Sequence, residues 1–251
     1  AKTNHQIDEL EGKIELRNVK FTYPGAEEPA LKDVSMEINP GEHIAIVGRT
    51  GSGKSTLVQL LPRLFNPDEG EIYLDGHKIN KVPLDILRSS IGYVPQETFL
   101  FSDTIAENIA FGNRRAGKEE VEEAAEKAQV RDNILDFEKK FETILGERGI
   151  TLSGGQKQRT AIARALLTRP KILIFDDSLS AVDTKTEDAI LHHLLEELDG
   201  VTSIMISHRI STIKDADRIF VLDDGHIVES GTHNSLLKND GYYASMYNKQ
   251  L

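Results

Sequence analysis

The sequence predicts an α/β fold with a mostly parallel sheet, an antiparallel β section and a helical lobe. Three observations predict it. A glycine-rich turn, 48–56, separates a short apolar run from residues at helical spacing. The almost wholly apolar run 171–177 is typical of a strand buried on both faces of a parallel sheet. Apolar and polar residues alternate in 13–23 and 31–38, which indicates half-buried antiparallel strands.

Composition limits the classes of protein to consider. A chain of 251 residues can hold one large domain or two lobes, and 28% charged and 39% hydrophobic residues are normal for a soluble globular protein. A net charge of −11 without a basic stripe argues against a nonspecific nucleic-acid binder. The absence of cysteine excludes a disulfide framework and a thiolate metal site, as expected in the cytosol. No apolar run approaches the roughly 18–20 residues that cross a bilayer, so neither a membrane span nor a signal peptide is expected in this sequence.

The glycine-rich turn has the composition of a phosphate-binding site. Its glycines let backbone N–H groups converge on an anion, and the following helix N-terminus adds partial positive charge. Lys54 can reach terminal phosphates, and the Ser55 hydroxyl can bind magnesium. An ordinary Gly/Ser turn is the alternative. The flanking strand and helix favour a nucleotide phosphate-binding loop made of Gly48, Arg49, Thr50, Gly51, Ser52, Gly53, Lys54, Ser55 and Thr56.

Tyr23 and Gln96 can be interpreted as functional residues only together with the other motifs of the chain. Tyr23 ends the first predicted strand, where its ring could stack on a base, although the residues alone favour a plain strand-end tyrosine. Beyond the loop helix, 71–76 and 91–94 are predicted as short strands. Gln96 follows the second of these, and its amide could bind a metal ion or water; alone it is an ordinary loop glutamine.

The middle of the chain is predicted to form the helical lobe. Residues 103–140 are acidic and helical in pattern, and their glutamates indicate a solvated helix face. Ser153 is a good N-cap for a long helix predicted over 157–168. Gly154 and Gly155 are poor helix formers, which suggests that the backbone there closely approaches a second phosphate. A glycine-rich loop before a helix is the alternative.

Polar residues end two buried strands. Run 171–177 finishes in Asp176 and Asp177, and the predicted strand 201–207 leads to His208. Ligands of open α/β sheets bind beyond the carboxyl ends of the strands. Neighbouring carboxylates there are costly unless a cation or water balances them, so Asp176 suits a magnesium shell and Asp177 the attacking water. His208 could bond a γ-phosphate or hold a water, although a lone histidine is usually structural.

The last predicted elements complete the sheet. A helix is predicted over 185–198, and its His192 and His193 diverge as adjacent helical residues do, so both are assigned to a surface or interface. The strand 218–222 precedes an Asp-Asp-Gly turn, and 227–228 continue it as a hairpin.

Taken in chain order, the motifs described above resemble those of the ATP-binding cassette (ABC) family, and the resemblance covers essentially the whole chain from about Gly12. The phosphate loop is common to many nucleotide-hydrolysing enzymes, whereas Leu-Ser-Gly-Gly-Gln just before the second Asp-ending strand is highly specific. Segments 99–105 and 143–149 resemble the exporter branch. The resemblance is carried by Tyr23, 48–56, Gln96, 152–156, 172–176, 180–183 and His208.

The resemblance implies a P-loop NTPase core and a role for each motif. Tyr23 would stack on adenine, while Lys54 and the loop amides would hold the phosphates of ATP. Magnesium would be arranged by Ser55, Gln96 and Asp176, with Gln96 also sensing a membrane domain. In the family, the signature motif completes the site of a second, facing cassette in a head-to-tail dimer. The signature residues are Leu152, Ser153, Gly154, Gly155 and Gln156, with Asp183 at the dimer interface and His208 at the γ-phosphate.

The resemblance also implies a function. The chain is expected to be the ATP-driven motor domain of a multidrug-type exporter, itself soluble and at the cytoplasmic face of a membrane. Residues 12–251 would form the nucleotide-binding domain, with a helical lobe at about 97–168, a linker at 1–11 and a transmembrane domain fused upstream. One alternative is a soluble ABC protein of DNA repair or translation, but the sequence shows no coiled-coil insertion, tandem cassette or basic surface. Another is a regulatory module that binds ATP without turnover.

One residue departs from the family pattern. The position after Asp176 is usually Glu, and here it is Asp177. Asp is shorter by one methylene, about 1.5 Å of reach, and an error near 1 Å can cost around 100-fold in rate. The substitution resembles the slow half of a heterodimeric exporter, whose partner would carry the catalytic Glu. An engineered replacement would give the same sequence.

Overall fold

The computed structural model describes residues 7–146, 151–178 and 200–250, together with Ile190 and Leu194. Within these residues, ten strands form two sheets. In chain order they are β1 (Ile14–Phe21), β2 (Leu31–Ile38), β3 (His43–Val47), β4 (Glu69–Leu74), β5 (His77–Lys78), β6 (Ile91–Val94), β7 (Ile172–Asp176), β8 (Thr202–Ile206), β9 (Arg218–Asp223) and β10 (His226–Gly231).

The larger sheet is the mostly parallel one that the sequence predicts. Its six strands have the order β10-β9-β3-β8-β7-β6, and all neighbours pair in parallel except β10, which lies antiparallel to β9 at one edge. The smaller sheet has the order β2-β1-β4-β5 and is antiparallel throughout. The predicted combination of a mostly parallel sheet with an antiparallel section is confirmed.

Apolar residues cover both faces of the larger sheet because successive side chains of a strand point to opposite sides. In β3, Ile44 and Ile46 belong to the core shared with the antiparallel sheet, whereas Ala45 and Val47 belong to the core under the helical lobe. Strand β7 divides in the same way, with Ile174 in the first core. This double burial explains why its sequence is a continuous apolar run rather than an alternating one.

Nine α-helices have both ends within the described residues, and α3 to α6 form the helical lobe. They are α1 (Lys54–Gln59), α2 (Leu84–Ser89), α3 (Ile105–Ala110), α4 (Lys118–Lys127), α5 (Arg131–Leu135), α6 (Gly154–Leu166), α7 (Ile210–Ile213), α8 (His233–Lys238) and α9 (Tyr242–Gln250), with 3-10 turns at Ile79–Lys81 and Lys140–Glu142. Among the described residues, no helix has the length and apolar character of a membrane span.

Helix α6 begins at Gly154, earlier than the predicted start at 157. Ser153 is its N-cap: its Oγ accepts a hydrogen bond from the Gln156 N–H at 3.2 Å, and the Gln156 Oε1 accepts one from the Ser153 N–H at 2.9 Å. This reciprocal capping box satisfies backbone donors at the helix end, so two glycines are accommodated in the first turn.

The N-terminal segment contacts the body of the domain. Ile7 and Leu10 are buried in the core shared with the antiparallel sheet, and Glu9 lies 2.8 Å from the Lys171 ammonium. Residues 7–11, the described part of the expected linker, are therefore packed against the fold. Strand β5 and helices α2, α7, α8 and α9 correspond to no sequence prediction. The predicted helix 185–198 lies outside the described residues except for Ile190 and Leu194, which are helical and buried.

Candidate functional site

The glycine-rich loop follows β3 and leads directly into α1. Gly53, the α1 N-cap, has a φ of 102°, and a Cβ there would lie 2.6 Å from the Ala30 carbonyl oxygen. At Gly48, with a φ of 154°, a Cβ would lie 2.0 Å from the Leu222 carbonyl oxygen. Both positions therefore require glycine, because any side chain would collide with backbone that cannot move aside.

The side chain of Lys54 folds back over this loop. Its ammonium donates hydrogen bonds to the carbonyls of Gly48, at 3.0 Å, and Arg49, at 2.8 Å. Burial lowers the pKa of Lys54, while the nearby carboxylates of Asp177 and Asp176 act in the opposite direction. The loop thus holds a partly desolvated cation at its centre, where an anionic ligand would gain most from it.

Asp176 ends β7 beside the start of α1. It is 3% exposed, and its two oxygens accept hydrogen bonds from different elements. The Ser55 hydroxyl donates to Oδ1 at 2.8 Å, and the Tyr93 hydroxyl of β6 donates to Oδ2 at 2.8 Å. Burial raises the pKa of Tyr93, and the Asp176 carboxylate raises it further, so the phenol stays protonated and remains a donor.

Asp177 and His208 form a second polar pair at the same sheet edge. Asp177 follows β7 with a left-handed φ of 46°, and its N–H donates to the Ile206 carbonyl of β8 at 2.9 Å. Its Oδ1 lies 3.1 Å from Nδ1 of His208, which comes just after β8. The His208 side chain is 61% exposed and that of Asp177 23%, so the pair is open to solvent or a ligand.

These side chains share one cleft of about 360 Å³. Gly48 and His208, 160 residues apart, meet there because the carboxyl ends of parallel strands lie at one edge of a sheet, and Tyr23 joins them from the end of β1 in the antiparallel sheet. The lining residues are Tyr23, Ala30, Gly48, Thr50, Gly51, Gly53, Lys54, Ser55, Thr56, Gln96, Asp176, Asp177, Ile206 and His208.

The comparisons agree with this geometry. A protein-family model described as ABC transporter matches residues 31–180. The chain belongs to the ABC transporter family. This ABC domain is 47% identical, over 97% of its length, to the ATP-dependent lipid A-core flippase of Escherichia coli (strain K12) and to the ABC transporter ATP-binding protein YfiB of Bacillus subtilis (strain 168), covering 42% of each.

A solved structure gives the same fold. The ABC domain superposes over its whole length on a structure of a bacterial Atm1-family ABC exporter with ATP bound, with a TM-score of 0.93 and 43% identity, and covers 43% of that chain. The domain therefore spans less than half the length of the relatives that it matches.

The signature segment lies apart from this cleft. Among the described residues that line the cleft, none belongs to 152–156. Leu152 is buried, whereas Ser153 and Gly154 are exposed at the N-terminus of α6. Asp183, expected at a dimer interface, lies outside the described residues.

Tyr23 of the ABC domain is held by an aromatic group at the cleft rim. Its ring meets those of Phe21 and Phe65 edge-on, with centroids 4.9 Å and 5.3 Å away. Its hydroxyl lies 3.0 Å from the Thr56 hydroxyl of α1. Tyr23 therefore has a defined orientation although it is only half-buried.

The donor set suits a hard cation. Ser55 and Asp176 bring a hydroxyl and a carboxylate oxygen within 2.8 Å of each other, and the exposed Gln96 lines the same cleft. Oxygen ligands of this kind fit magnesium, which is usually completed by water and substrate phosphates. No group of three or more His, Cys, Asp or Glu in the described part of the chain could hold a metal ion by itself. Water and nucleotide phosphates would therefore supply the remaining ligands.

Several residues near the cleft make contacts that the sequence did not predict. Gln250, in the last turn of α9, accepts a hydrogen bond from the Ile210 N–H at 2.9 Å and donates to the His208 carbonyl. The Arg49 guanidinium lies over the Tyr242 ring, 5.5 Å from its centroid. No local pattern announces either contact, since each joins distant parts of the chain. The only sequence feature that could have identified Tyr93 as a site residue is its position in β6, the strand just before Gln96.

Replacing Lys54 by Ala should weaken MgATP binding about 10- to 100-fold, because a charge-assisted hydrogen bond is worth roughly 1.5–3 kcal/mol. Isothermal titration calorimetry would measure the change. Lys171→Ala is the matched control, since Lys171 pairs with Glu9 beyond the amino end of β7 and should leave affinity unchanged. Equal affinity in the parent and Lys54→Ala would contradict the assignment of the phosphate loop.

Proposed function

We propose that the chain is the ATP-hydrolysing domain of an ABC exporter, working as one half of an ATP-sandwiched dimer. The observation that carries this proposal is the cleft itself. A phosphate loop with a central lysine, a metal-type Ser–Asp pair and an Asp–His pair share one sheet edge. Together these groups can bind a nucleoside triphosphate and orient a water molecule to attack its terminal phosphate.

Each side chain has a role in this proposal. The Tyr23 ring stacks on the adenine, and Lys54 with the loop amides binds the phosphates. Ser55, Gln96 and Asp176 hold magnesium, which neutralises phosphate charge when bound. Asp177 orients the attacking water.

His208 completes the site in this proposal. It lies 3.1 Å from Asp177 and donates to the γ-phosphate from its exposed ring. Catalysis would then consist mainly of positioning and charge stabilisation.

The exposed signature is the reason to propose a dimer. Ser153 and Gly154 lie at the N-terminus of a 13-residue helix, where a partial positive charge favours phosphate, yet residues 152–156 are absent from the described lining of the cleft. A facing cassette would bring its γ-phosphate to this helix end, with Asp183 at the same interface. Magnesium and two ATP molecules would complete the assembly.

An exposed aromatic surface is the candidate contact with a membrane domain. It consists of Phe99, Phe101 and Phe111, which are 67%, 38% and 46% exposed. Phe101 packs against both other rings, with centroid distances of 5.1 Å and 4.6 Å. An exposed apolar cluster of this kind, which begins three residues after Gln96 in the sequence, is typical of an interaction site rather than of scattered surface residues.

Arg164 connects this aromatic surface to the signature helix. From within α6, its guanidinium donates to the Phe99 carbonyl at 3.0 Å and to the Asn108 carbonyl at 2.7 Å, and it lies 5.7 Å from the centroids of Phe101 and Phe111. Burial lowers its pKa. Because the Arg164 guanidinium is partly desolvated, breaking its hydrogen bonds would be costly. A partner that shifts the aromatic surface would therefore shift the signature helix α6 with it.

Two alternatives are weaker. A soluble ABC protein of DNA repair or translation is not favoured, because the similar proteins include a flippase and an exporter. A regulatory domain that binds ATP without turnover is distinguished by the measurements below.

We further propose that Asp177 makes this chain's own site slow and that its natural partner is a different chain carrying Glu.

ATP turnover per molecule should rise with protein concentration, because each site needs a signature from a second chain. Steady-state phosphate release over a wide dilution series would measure it. Turnover that stays constant on dilution would indicate a self-contained site, and its complete absence at all concentrations, alone and with a partner cassette, would favour the regulatory alternative.

Asp177→Ala and a signature variant should differ in the heterodimer. Asp177→Ala should cost less than about 10-fold, since a short carboxylate gives less than the roughly 10²–10⁴-fold of a well-placed base. Ser153→Ala with Gly154→Asp should cost more than about 100-fold, because it removes stabilisation of the partner's γ-phosphate. Asp177→Glu should raise the rate by restoring reach. The measurement is ATP hydrolysis at saturating MgATP.

The opposite ranking would reject the slow-site proposal. If Asp177→Ala stops hydrolysis as completely as the signature variant, Asp177 is the working base of an active site. The partner would then need no Glu of its own.

In a protein that carries the membrane domain, Phe99→Ala should lower ATP turnover severalfold by weakening the domain contact. In the isolated chain, the same change should leave MgATP affinity unaltered. Leu64→Ala is the control, since Leu64 is similarly exposed, at 53%, but lies outside the aromatic surface. Equal turnover in the Phe99 and Leu64 variants would place the membrane domain elsewhere.

A further inference from the structure

Helix α9 runs from the phosphate loop to the segment that carries His208. Near its start, the Tyr242 ring lies under the Arg49 guanidinium of the loop, 5.5 Å from ring centroid to Cζ. At its end, Gln250 bonds to the backbone of His208 and Ile210. Nine residues at about 1.5 Å of rise per residue extend over roughly 13 Å. One helix thus contacts both the loop after β3 and the segment after β8.

The Gln250 amide makes two hydrogen bonds of opposite direction. Its Oε1 accepts from the Ile210 N–H at 2.9 Å, and its Nε2 donates to the His208 carbonyl. Ile210 is the first residue of α7, so its N–H has no carbonyl partner within that helix. Because an amide accepts through oxygen and donates through nitrogen, one side chain can hold both backbone groups at once.

The start of α9 is anchored in the body of the domain. The Glu229 carboxylate on β10 accepts hydrogen bonds from the N–H groups of Tyr242 and Tyr243, the second at 3.2 Å. A negative charge at this helix end is favourable. Tyr243 is fully buried, and its hydroxyl lies 2.7 Å from Nδ1 of His233 in α8. Gln250 therefore extends from a helix whose position is fixed at its other end.

The segment that carries His208 has space beside it. A groove of about 580 Å³ lies between α7 and α9, and its lining includes His208, Lys214, Tyr247 and Gln250. The His208 side chain is 61% exposed, so packing alone does not hold it in one place. The Gln250 amide joins the two helices that border the groove.

We propose that Gln250 is a positioning residue that holds His208 at the γ-phosphate, with α9 as its support. The inference rests on the proposed function, in which His208 donates to that phosphate. Without the amide, the backbone at His208 and Ile210 would shift into the groove, and the imidazole would be misplaced for its contact. Contacts to the base and to the other phosphates involve neither α7 nor Gln250. The expected effect is therefore a lower preference for a nucleoside triphosphate over a diphosphate.

The experiment measures the affinity of the chain, in Mg²⁺, for ADP and for AMP-PNP, a nonhydrolysable analogue of ATP. The ratio of the two affinities is the triphosphate preference. Gln250→Ala should lower this preference about three- to fivefold, since Gln250 is exposed and water competes for its hydrogen bonds. Affinity for ADP should stay within about twofold of the parent value. Asn248→Ala is the matched control, because it removes another exposed amide from α9, and should change neither affinity.

Gln250→Met separates hydrogen bonding from bulk. Methionine is nearly as long as glutamine and favours helix, but it has no amide. The variant should lower the triphosphate preference as Gln250→Ala does. A preference equal to that of the parent would show that side-chain bulk is sufficient and would overturn the inference.

Combining Gln250→Ala with His208→Ala tests whether Gln250 acts through His208. His208→Ala alone should lower the triphosphate preference about 10-fold, because it removes a hydrogen bond to a charged group. The double variant should lose no more than His208→Ala does. Losses that multiply would show that the two residues act independently and would overturn the positioning role.

Three other outcomes are decisive. An unchanged preference in Gln250→Ala, while His208→Ala lowers it, overturns this inference and leaves the proposed function standing. Equal losses of AMP-PNP and ADP affinity with a lower melting temperature in Gln250→Ala show a merely structural role and also overturn it. A preference that His208→Ala leaves unchanged rejects the proposed role of His208 and this inference with it.

Discussion

A buried carboxylate stands where the phosphate loop, β6 and β7 meet, and the rest of the cleft depends on it. Asp176 is 3% exposed, so its charge must be balanced by donors or a cation. Ser55 and Tyr93 supply donors from two other elements. The cost of leaving such a group unpaired ties the first turn of α1, the end of β6 and the end of β7 into one unit.

The two-sided packing of the larger sheet makes that arrangement rigid. Alternate residues of β3 and β7 enter two separate cores, one beneath the antiparallel sheet and one beneath the helical lobe. A strand anchored on both faces cannot slide by one residue without reversing every side chain. The carboxyl ends that carry Lys54, Asp176 and His208 are therefore held at constant relative positions, and function can be placed in the flexible side chains that extend from them.

The signature residues and the aromatic surface lie on the helical lobe and not at the sheet edge that forms the cleft. The signature residues cap α6 and leave Ser153 exposed, while the aromatic surface around Phe99 is attached to the same helix through Arg164. Both surfaces lie on the helical lobe, whose helices pack on one face of the sheet. In the proposed assembly, one lobe would thus link a membrane partner to a second cassette, while the cleft keeps its own geometry.

Local sequence determined the fold class, the phosphate loop, the Ser153 cap, and the placing of Asp176 and His208 after buried strands, because each depends on patterns within a few residues. Tertiary structure alone decided which side chains meet: Tyr93 with Asp176, Gln59 with Tyr23, and Gln250 with the backbone around His208. It also added α8 and α9, whose short sequences carry weak periodicity, and it packed residues 7–11 against the core. Contacts between distant segments leave no periodic trace in a single sequence, since they depend on the register of strands and the direction of helices once the sheet has formed.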